Sequence, residues 1–496
     1  MNKAIMIQGT MSNVGKSLIT AGLCRVFHQD GYSAAPFKSQ NMALNSFITN
    51  EGLEMGRAQV VQAEAAGVVP SVLMNPILLK PVTDIGSQVI VNGEVRGNMS
   101  AAEYFIYKKT LVPDVTRAFE TLASRHDIIV IEGAGSPVEI NLNENDIVNM
   151  GLAKITGAPV LLVGDIDRGG VFAQLVGTLV LLDDDERNRI KGLIINKFRG
   201  DMELLRPGLA MLEEKSGKPV AGIIPYLSVD IEDEDSLTER FRSKGTPAAL
   251  DIAVIKFPKI SNFTDFTALE ATDVASLRYI ADTRQLGRPD MIILPGTKNT
   301  ISDLMWMRQN GLEAAILRLA NEGVIIFGLC GGYQMLGQVI RDNDNIEGGG
   351  EIRGLGLLPI STEFYAEKTR LRASGRVIGA EGELRPLNGC IVEGYEIHMG
   401  VSHFTEKARA LVSKEDGGSD GCALNNAAGT YLHGFFDSAD CRSALIKLLC
   451  ARKGITAPSN AFDFAAYKYK QFDKLADAVR KNLDMNFIYR ILETLL

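Results

Sequence analysis

The chain has 496 residues, 52 Lys and Arg against 60 Asp and Glu for a formal net charge of −8, and a hydrophobic content of 46%. That length exceeds one typical core and suits two large domains, while the acidic balance, with no basic stripe, excludes nucleic acid as the main partner. Six scattered cysteines without a CxxC pair speak for reduced thiols in the cytoplasm rather than a disulfide framework or zinc site, and neither a signal peptide nor a membrane-spanning apolar run is predicted.

In chain order, residues 4–8 form an apolar strand, followed by Gly9-Thr10-Met11-Ser12-Asn13-Val14-Gly15-Lys16-Ser17 and an apolar helix from Leu18. Strand, glycine-rich loop and helix are the setting of a phosphate-binding loop, whose backbone N–H groups cradle phosphate oxygens. Gly9, Thr10, Ser12, Val14, Gly15, Lys16 and Ser17 are therefore candidate nucleotide ligands, with Lys16 reaching the terminal phosphates and Ser17 a magnesium ion. Five residues separate Gly9 from Gly15 where the common motif has four, a spacing that resembles the loop of dethiobiotin synthetases.

Two polar stretches follow, Pro36-Phe37-Lys38-Ser39-Gln40-Asn41-Met42-Ala43-Leu44-Asn45-Ser46 and Leu79-Lys80-Pro81-Val82-Thr83-Asp84-Ile85-Gly86-Ser87-Gln88. Their composition suits ordinary polar loops. Residues 127–131 are an apolar run closing on Glu132-Gly133-Ala134-Gly135, as a second magnesium-side element should. The strand at 160–164 ends in Asp165, Asp167 and Arg168, and the strand at 192–195 ends in Asn196. Open parallel sheets bind ligands at such carboxyl ends, and the repetition predicts a nucleotide-dependent domain. The acidic runs at 183–186 and 230–235 read as solvated loops. A linker is expected at 240–249, where Arg242-Ser243-Lys244-Gly245-Thr246-Pro247 breaks the pattern.

A new strand begins at 251–255. The strand at 291–294 leads into Pro295-Gly296-Thr297-Lys298-Asn299-Thr300, and the apolar run at 323–327 leads into Gly328-Leu329-Cys330-Gly331-Gly332. The latter reads as strand, sharp turn and helix, and a thiol at a helix N-terminus is favoured as thiolate. His433, in Gly429-Thr430-Tyr431-Leu432-His433-Gly434, follows another short strand and could serve as general base and acid. An arbitrary cysteine or histidine is more often a packed core residue, but the flanking glycines and the elbow favour a nucleophile and its base. The N–H groups of Gly296 and Gly331 could complete an oxyanion hole. His398 and His403 do not read as a metal site, since the chain has five histidines and no second cluster. Apolar residues at helical spacing from about 440 on predict packing helices.

The cysteine elbow, the Pro295-Gly296 turn and the histidine word together resemble class I glutamine amidotransferases. Most members carry a glutamate two residues after the histidine, where Phe435 stands here, so the sequence names no third member of a triad. That departure, with Gln8-Gly9-Thr10, Phe37-Lys38-Ser39-Gln40-Asn41-Met42, Glu132-Gly133-Ala134-Gly135-Ser136-Pro137, Asp165-Ile166-Asp167-Arg168-Gly169-Gly170 and Tyr395-Glu396-Ile397-His398-Met399-Gly400, resembles the cobyrinic and cobyric acid amidase family over nearly the whole chain.

The resemblance implies an α/β protein of two domains: a dethiobiotin-synthetase-like P-loop sheet over 1–245, an amidotransferase sheet over 250–440, and a helical extension over 441–496. It implies ATP and Mg2+, with glutamine as co-substrate attacked by Cys330. Asn196 would read the adenine, Ser17 and Glu132 would hold the metal, and Lys38, Asn41, Asn45, Lys80, Asp84, Glu132 and Gly133 would contact substrate or phosphate. The diamide-forming branch usually has acids after its Pro-Phe-Lys word, where Asn41 and Asn45 stand here. The implied reaction is therefore amidation of the b, d, e and g carboxylates of a corrinoid, adenosylcobyrinic acid a,c-diamide. The alternatives are a,c-diamide synthesis and, from another class, a partitioning-type nucleotide-switch ATPase. Such ATPases carry a lysine where Met11 stands and lack a second domain of the Cys330 type. Nothing in the sequence speaks to oligomeric state.

Overall fold

The computed structural model describes residues 3–83, 86–139, 141, 146–232, 248–459 and 461–493. Asp84 and the centre of the expected linker, residues 240–247, lie outside the described residues. The rest divides into two compact units, one within 1–43, 54–232 and 465–496, the other within 44–53 and 233–464.

In the first unit the runs rich in Ile, Val and Leu become a six-stranded parallel sheet in the order Val220–Pro225, Ile190–Phe198, Val160–Asp165, Lys3–Gly9, Ile128–Glu132, Ala34–Phe37. The central strands bury nearly every side chain, as parallel strands covered on both faces must. Lys3–Gly9 feeds the glycine loop and then the helix Lys16–Gln29. The polar stretches read as loops are strand in part: Gln40–Met42 and Ile77–Thr83 belong to a smaller sheet with Gly86–Val91 and Glu94–Ser100, while Lys38, Ser39 and residues 43–45 lie between strands. Their polar residues tolerate burial because they are paired, Lys80 with Glu54 at 2.9 Å and Asn41 with Gln59 at 3.3 Å.

The C-terminal helices are shared out. Ala439–Lys453 packs in the second unit, whereas Phe464–Asn482 and Met485–Glu493 place Phe472, Leu475, Val479 and Ile488 in the core of the first, against Ile5 and Leu23. This approach is close. A methyl group on Gly22 would stand 2.6 Å from Val479 Cγ2.

The second unit is built on the order Ala275–Ile280, Leu250–Ile255, Met291–Leu294, Ile325–Leu329, Ala427–Thr430, all parallel, with Cys422–Leu424 antiparallel at the edge. The catalytic candidates leave this sheet at the carboxyl ends of its central strands, where ligands collect in such folds. A long antiparallel pair, Ile360–Val377 with Ile391–Phe404, forms a second sheet. Tyr395 of this sheet forms an antiparallel bridge with His433, just past the strand Ala427–Thr430 of the first.

Candidate active site

The candidate phosphate loop has a backbone shape that requires glycine at Gly15. Gly15 lies at φ 99°, and a methyl group there would fall 2.2 Å from Asn196 Nδ2, so both the left-handed backbone and the close approach need glycine. Asn196 donates that Nδ2 to Val14 O at 2.7 Å; the structure places it against the loop's backbone. Lys16 folds its ammonium onto Met11 O and Gly135 O at 3.0 and 3.1 Å, carbonyls that flank the loop. Thr10 donates its hydroxyl to Gln174 Oε1, and its N–H to Val163 O on the neighbouring strand.

Glu132 is the centre of this site. Buried at the end of its strand, it accepts from Ser17 Oγ (2.8 Å) and Lys38 Nζ (2.9 Å) on one oxygen, and from Gln62 Nε2 (2.6 Å) on the other. The sequence reading brought Ser17, Lys38 and Glu132 forward, and the structure joins all three. It missed Gln62, which carries no motif and reaches Glu132 only because the helix Arg57–Ala65 lies beside Lys16–Gln29. A hydroxyl and a carboxylate, both oxygen donors, suit Mg2+, which takes one or two protein oxygens and completes its shell with phosphate and water. Gly133 donates its N–H to Ile7 O, and the turn after it is held by Asn149, which accepts from Ala134 N and donates to Ala134 O and Ser136 O. Asp165 is occupied by Lys197 Nζ at 2.9 Å.

In the second unit Cys330 sits at φ 51°, ψ −110° between the strand Ile325–Leu329 and the helix Gly331–Leu336. A non-glycine residue in that region is strained, of the kind found where an elbow must present a side chain. The elbow is tight: a methyl on Gly332 would lie 1.9 Å from Leu294 O. The thiol is within hydrogen-bonding reach of Ile397 O at 3.6 Å and of the His433 ring. Gly296 flanks the imidazole, since a methyl there would stand 3.4 Å from His433 Cε1, and Gly331 packs against Thr297. Asp303 anchors that turn, accepting from Thr297 Oγ1 at 2.5 Å and from Lys259 N at 3.2 Å; burial raises its carboxyl to about 6.

The third member that the sequence did not name is Asp265. His433 Nδ1 lies 2.7 Å from Asp265 Oδ2, and Gly434 N donates to Asp265 Oδ1 at 3.1 Å. Asp265 stands in a short helical turn after the strand Leu250–Ile255, 168 positions before His433 in sequence. The available signal was a carboxylate between two phenylalanines, Phe263-Thr264-Asp265-Phe266, just past a carboxyl end of the parallel sheet. Burial opposes the imidazolium, but the charge and hydrogen bond of Asp265, with the Cys330 hydrogen bond, outweigh it and raise His433 to about 10. Because this pKa lies above the ordinary value of 6.5, the stabilisation is complete below pH 6.5 and is lost as pH rises through about 10.

Asp265→Asn should therefore lower the turnover of glutamine hydrolysis by about 10²- to 10⁴-fold, the range seen when a histidine loses its orienting carboxylate, and should move the alkaline limb of the pH profile toward neutrality. A steady-state rate profile from pH 6 to 10 checks both, and an unchanged limb would remove Asp265 from the site.

A thiol, imidazole and carboxylate on one sheet, and a phosphate loop with a buried carboxylate on another, define the class of glutamine-dependent amidoligases. Residues 251–441 match the CobB/CobQ-like glutamine amidotransferase domain and residues 5–237 the CobQ/CobB/MinD/ParA nucleotide binding domain. Curated relatives named cobyric acid synthase are 57% identical in Lachnoclostridium phytofermentans, 55% in Ruminiclostridium cellulolyticum and 52% in Clostridium acetobutylicum, each alignment covering 98–99% of both chains. The chain belongs to the cobyric acid synthase family.

Proposed function

We propose that this amidoligase converts the b, d, e and g carboxylates of adenosylcobyrinic acid a,c-diamide to amides, using glutamine as nitrogen donor and ATP to activate each acid. The observation that supports the reading best is that one chain pairs the Cys330–His433–Asp265 cluster with the Ser17–Glu132–Lys38 cluster, within a sequence aligned end to end with relatives named for that product.

The thiolate of Cys330 attacks the side-chain carbonyl of glutamine, and the N–H groups of Gly296 and Gly331 donate to the oxyanion. His433, charged through Asp265, gives its proton to the departing ammonia, then takes one from the water that hydrolyses the thioester and releases glutamate. In the first unit the loop N–H groups and Lys16 hold the ATP phosphates, and Lys38 offsets charge on the phosphoryl group as it passes to a substrate carboxylate with loss of ADP. Ammonia displaces phosphate from that acyl phosphate to form the amide. Ser17 and Glu132 would hold Mg2+, which when bound supplies neutralising charge at the phosphates. Lys80, Asn41, Asn45, Asp84 and Gly133 complete the proposed substrate and phosphate contacts, and Asn196, which buttresses Val14, is proposed to lie beside the adenine.

Mass spectrometry of the corrinoid after incubation with protein, ATP, magnesium and glutamine tests this reading. Four successive losses of about one dalton, each the exchange of an acid for an amide, are expected. Conversion only of the precursor lacking the a and c amides would assign the chain to the diamide reaction instead.

A further inference from the structure

We propose that residues 46–48, embedded in the nucleotide-binding half of the sequence, together with Tyr395 form a positioning element for the glutaminase histidine. This rests on the assignment of Cys330 and His433 to glutamine hydrolysis. Asp265 holds His433 by one ring nitrogen, which fixes where Nδ1 points but leaves the tilt of the ring plane to the groups packed on its face. Catalysis needs that tilt fixed, because Nε2 must point at the sulfur and the leaving nitrogen.

Tyr395 supplies the missing constraint. Its ring stacks on His433 with centroids 5.1 Å apart and planes 20° from parallel. The two backbones exchange hydrogen bonds, His433 N to Tyr395 O at 2.8 Å and Tyr395 N to His433 O at 3.2 Å. The tyrosine is in turn held by the 46–48 segment: its hydroxyl donates to Ser46 O at 3.0 Å, and Phe47 meets its ring edge-on at 5.2 Å. Asn262 also lies against the imidazole: its Oδ1 accepts from Ser46 N at 3.0 Å, and its Nδ2 stands 3.4 Å from His433 Nε2 and 3.5 Å from Nδ1, a contact with the ring rather than a hydrogen bond to the imidazolium. Asn262 is in the left-handed region, φ 51°, so its side chain is presented by a backbone shape that has to be maintained. Ile48 completes an apolar cluster with Tyr395 and Ile397, whose carbonyl faces the Cys330 thiol. One short segment thus backs both reacting side chains without touching the substrate amide.

The test uses the full chain and three variants outside the reacting trio, read by glutamine hydrolysis and by amidation supported with ammonium salts. Phe47→Ala is expected to lower kcat for glutamine hydrolysis about tenfold, with the glutamine KM within about twofold and ammonium-supported amidation unchanged. Tyr395→Phe, which keeps the ring and loses only the hydroxyl to Ser46, should show the same split at about a third of that size, and Phe47→Leu should recover most of the loss. Unchanged kcat in both Phe47→Ala and Tyr395→Phe would overturn the proposal, as would a parallel fall of both activities, which marks a merely structural role. A Cys330→Ser control that still hydrolyses glutamine would instead overturn the assignment of the site itself.

Discussion

Cys330→Ser is expected to reduce glutamine-dependent amidation by about 10⁴-fold or more while amidation supported by ammonium salts at raised pH continues within about twofold of the parent. Serine matches the size of cysteine and can occupy the same strained elbow at φ 51°, so the fold is kept. The nucleophile, however, changes from sulfur to the far less nucleophilic oxygen of an alcohol. The comparison of the two nitrogen sources isolates the step. Glutaminase chemistry supplies only ammonia, and ammonium salts bypass it. Failure of ammonium to sustain amidation in a folded Cys330→Ser protein would show that Cys330 serves the synthetase reaction as well.

Lys16→Ala should abolish amidation from both nitrogen sources, by at least about 10²- to 10³-fold, the loss typical of removing one strong donor from developing charge. Here the ammonium now bonded to Met11 O and Gly135 O is the group proposed to turn to the terminal phosphates. Glutamine hydrolysis measured alone should survive, because the Cys330, His433 and Asp265 cluster makes no use of Lys16. Full amidation activity in this variant would exclude the phosphate-loop assignment. The two variants thus fail in opposite patterns, which is what two separate chemistries in one chain require.

Much of the site was legible because its words are local. A glycine loop, an elbow cysteine and a carboxylate closing an apolar strand each announce themselves within about ten residues, since backbone geometry dictates the neighbours. Asp265, Gln62 and Asn262 were not legible, and Tyr395 was read only as part of a family word with no role of its own. Each acts through a partner far away in sequence, and nothing in its local stretch points to that partner. The polar residues at 38–45 and 80 show the converse difficulty. Their composition suggested exposed loops, whereas burial, in strands for Asn41 and Lys80 and between strands for Lys38, is permitted by the partners Gln59, Glu54 and Glu132.

By itself the sequence determined the α/β class and the family resemblance and singled out the proposed phosphate loop, thiol nucleophile and histidine, because these depend on periodicity and on short-range backbone requirements. Only the tertiary structure decided which carboxylate orients His433, that Glu132 gathers Ser17, Lys38 and Gln62, and that residues 44–53 are built into the glutaminase unit while residues 465–493 pack in the nucleotide unit. Those outcomes are set by which distant side chains meet when the two cores close, and a contact between residues 168 positions apart leaves no trace in the local pattern of either.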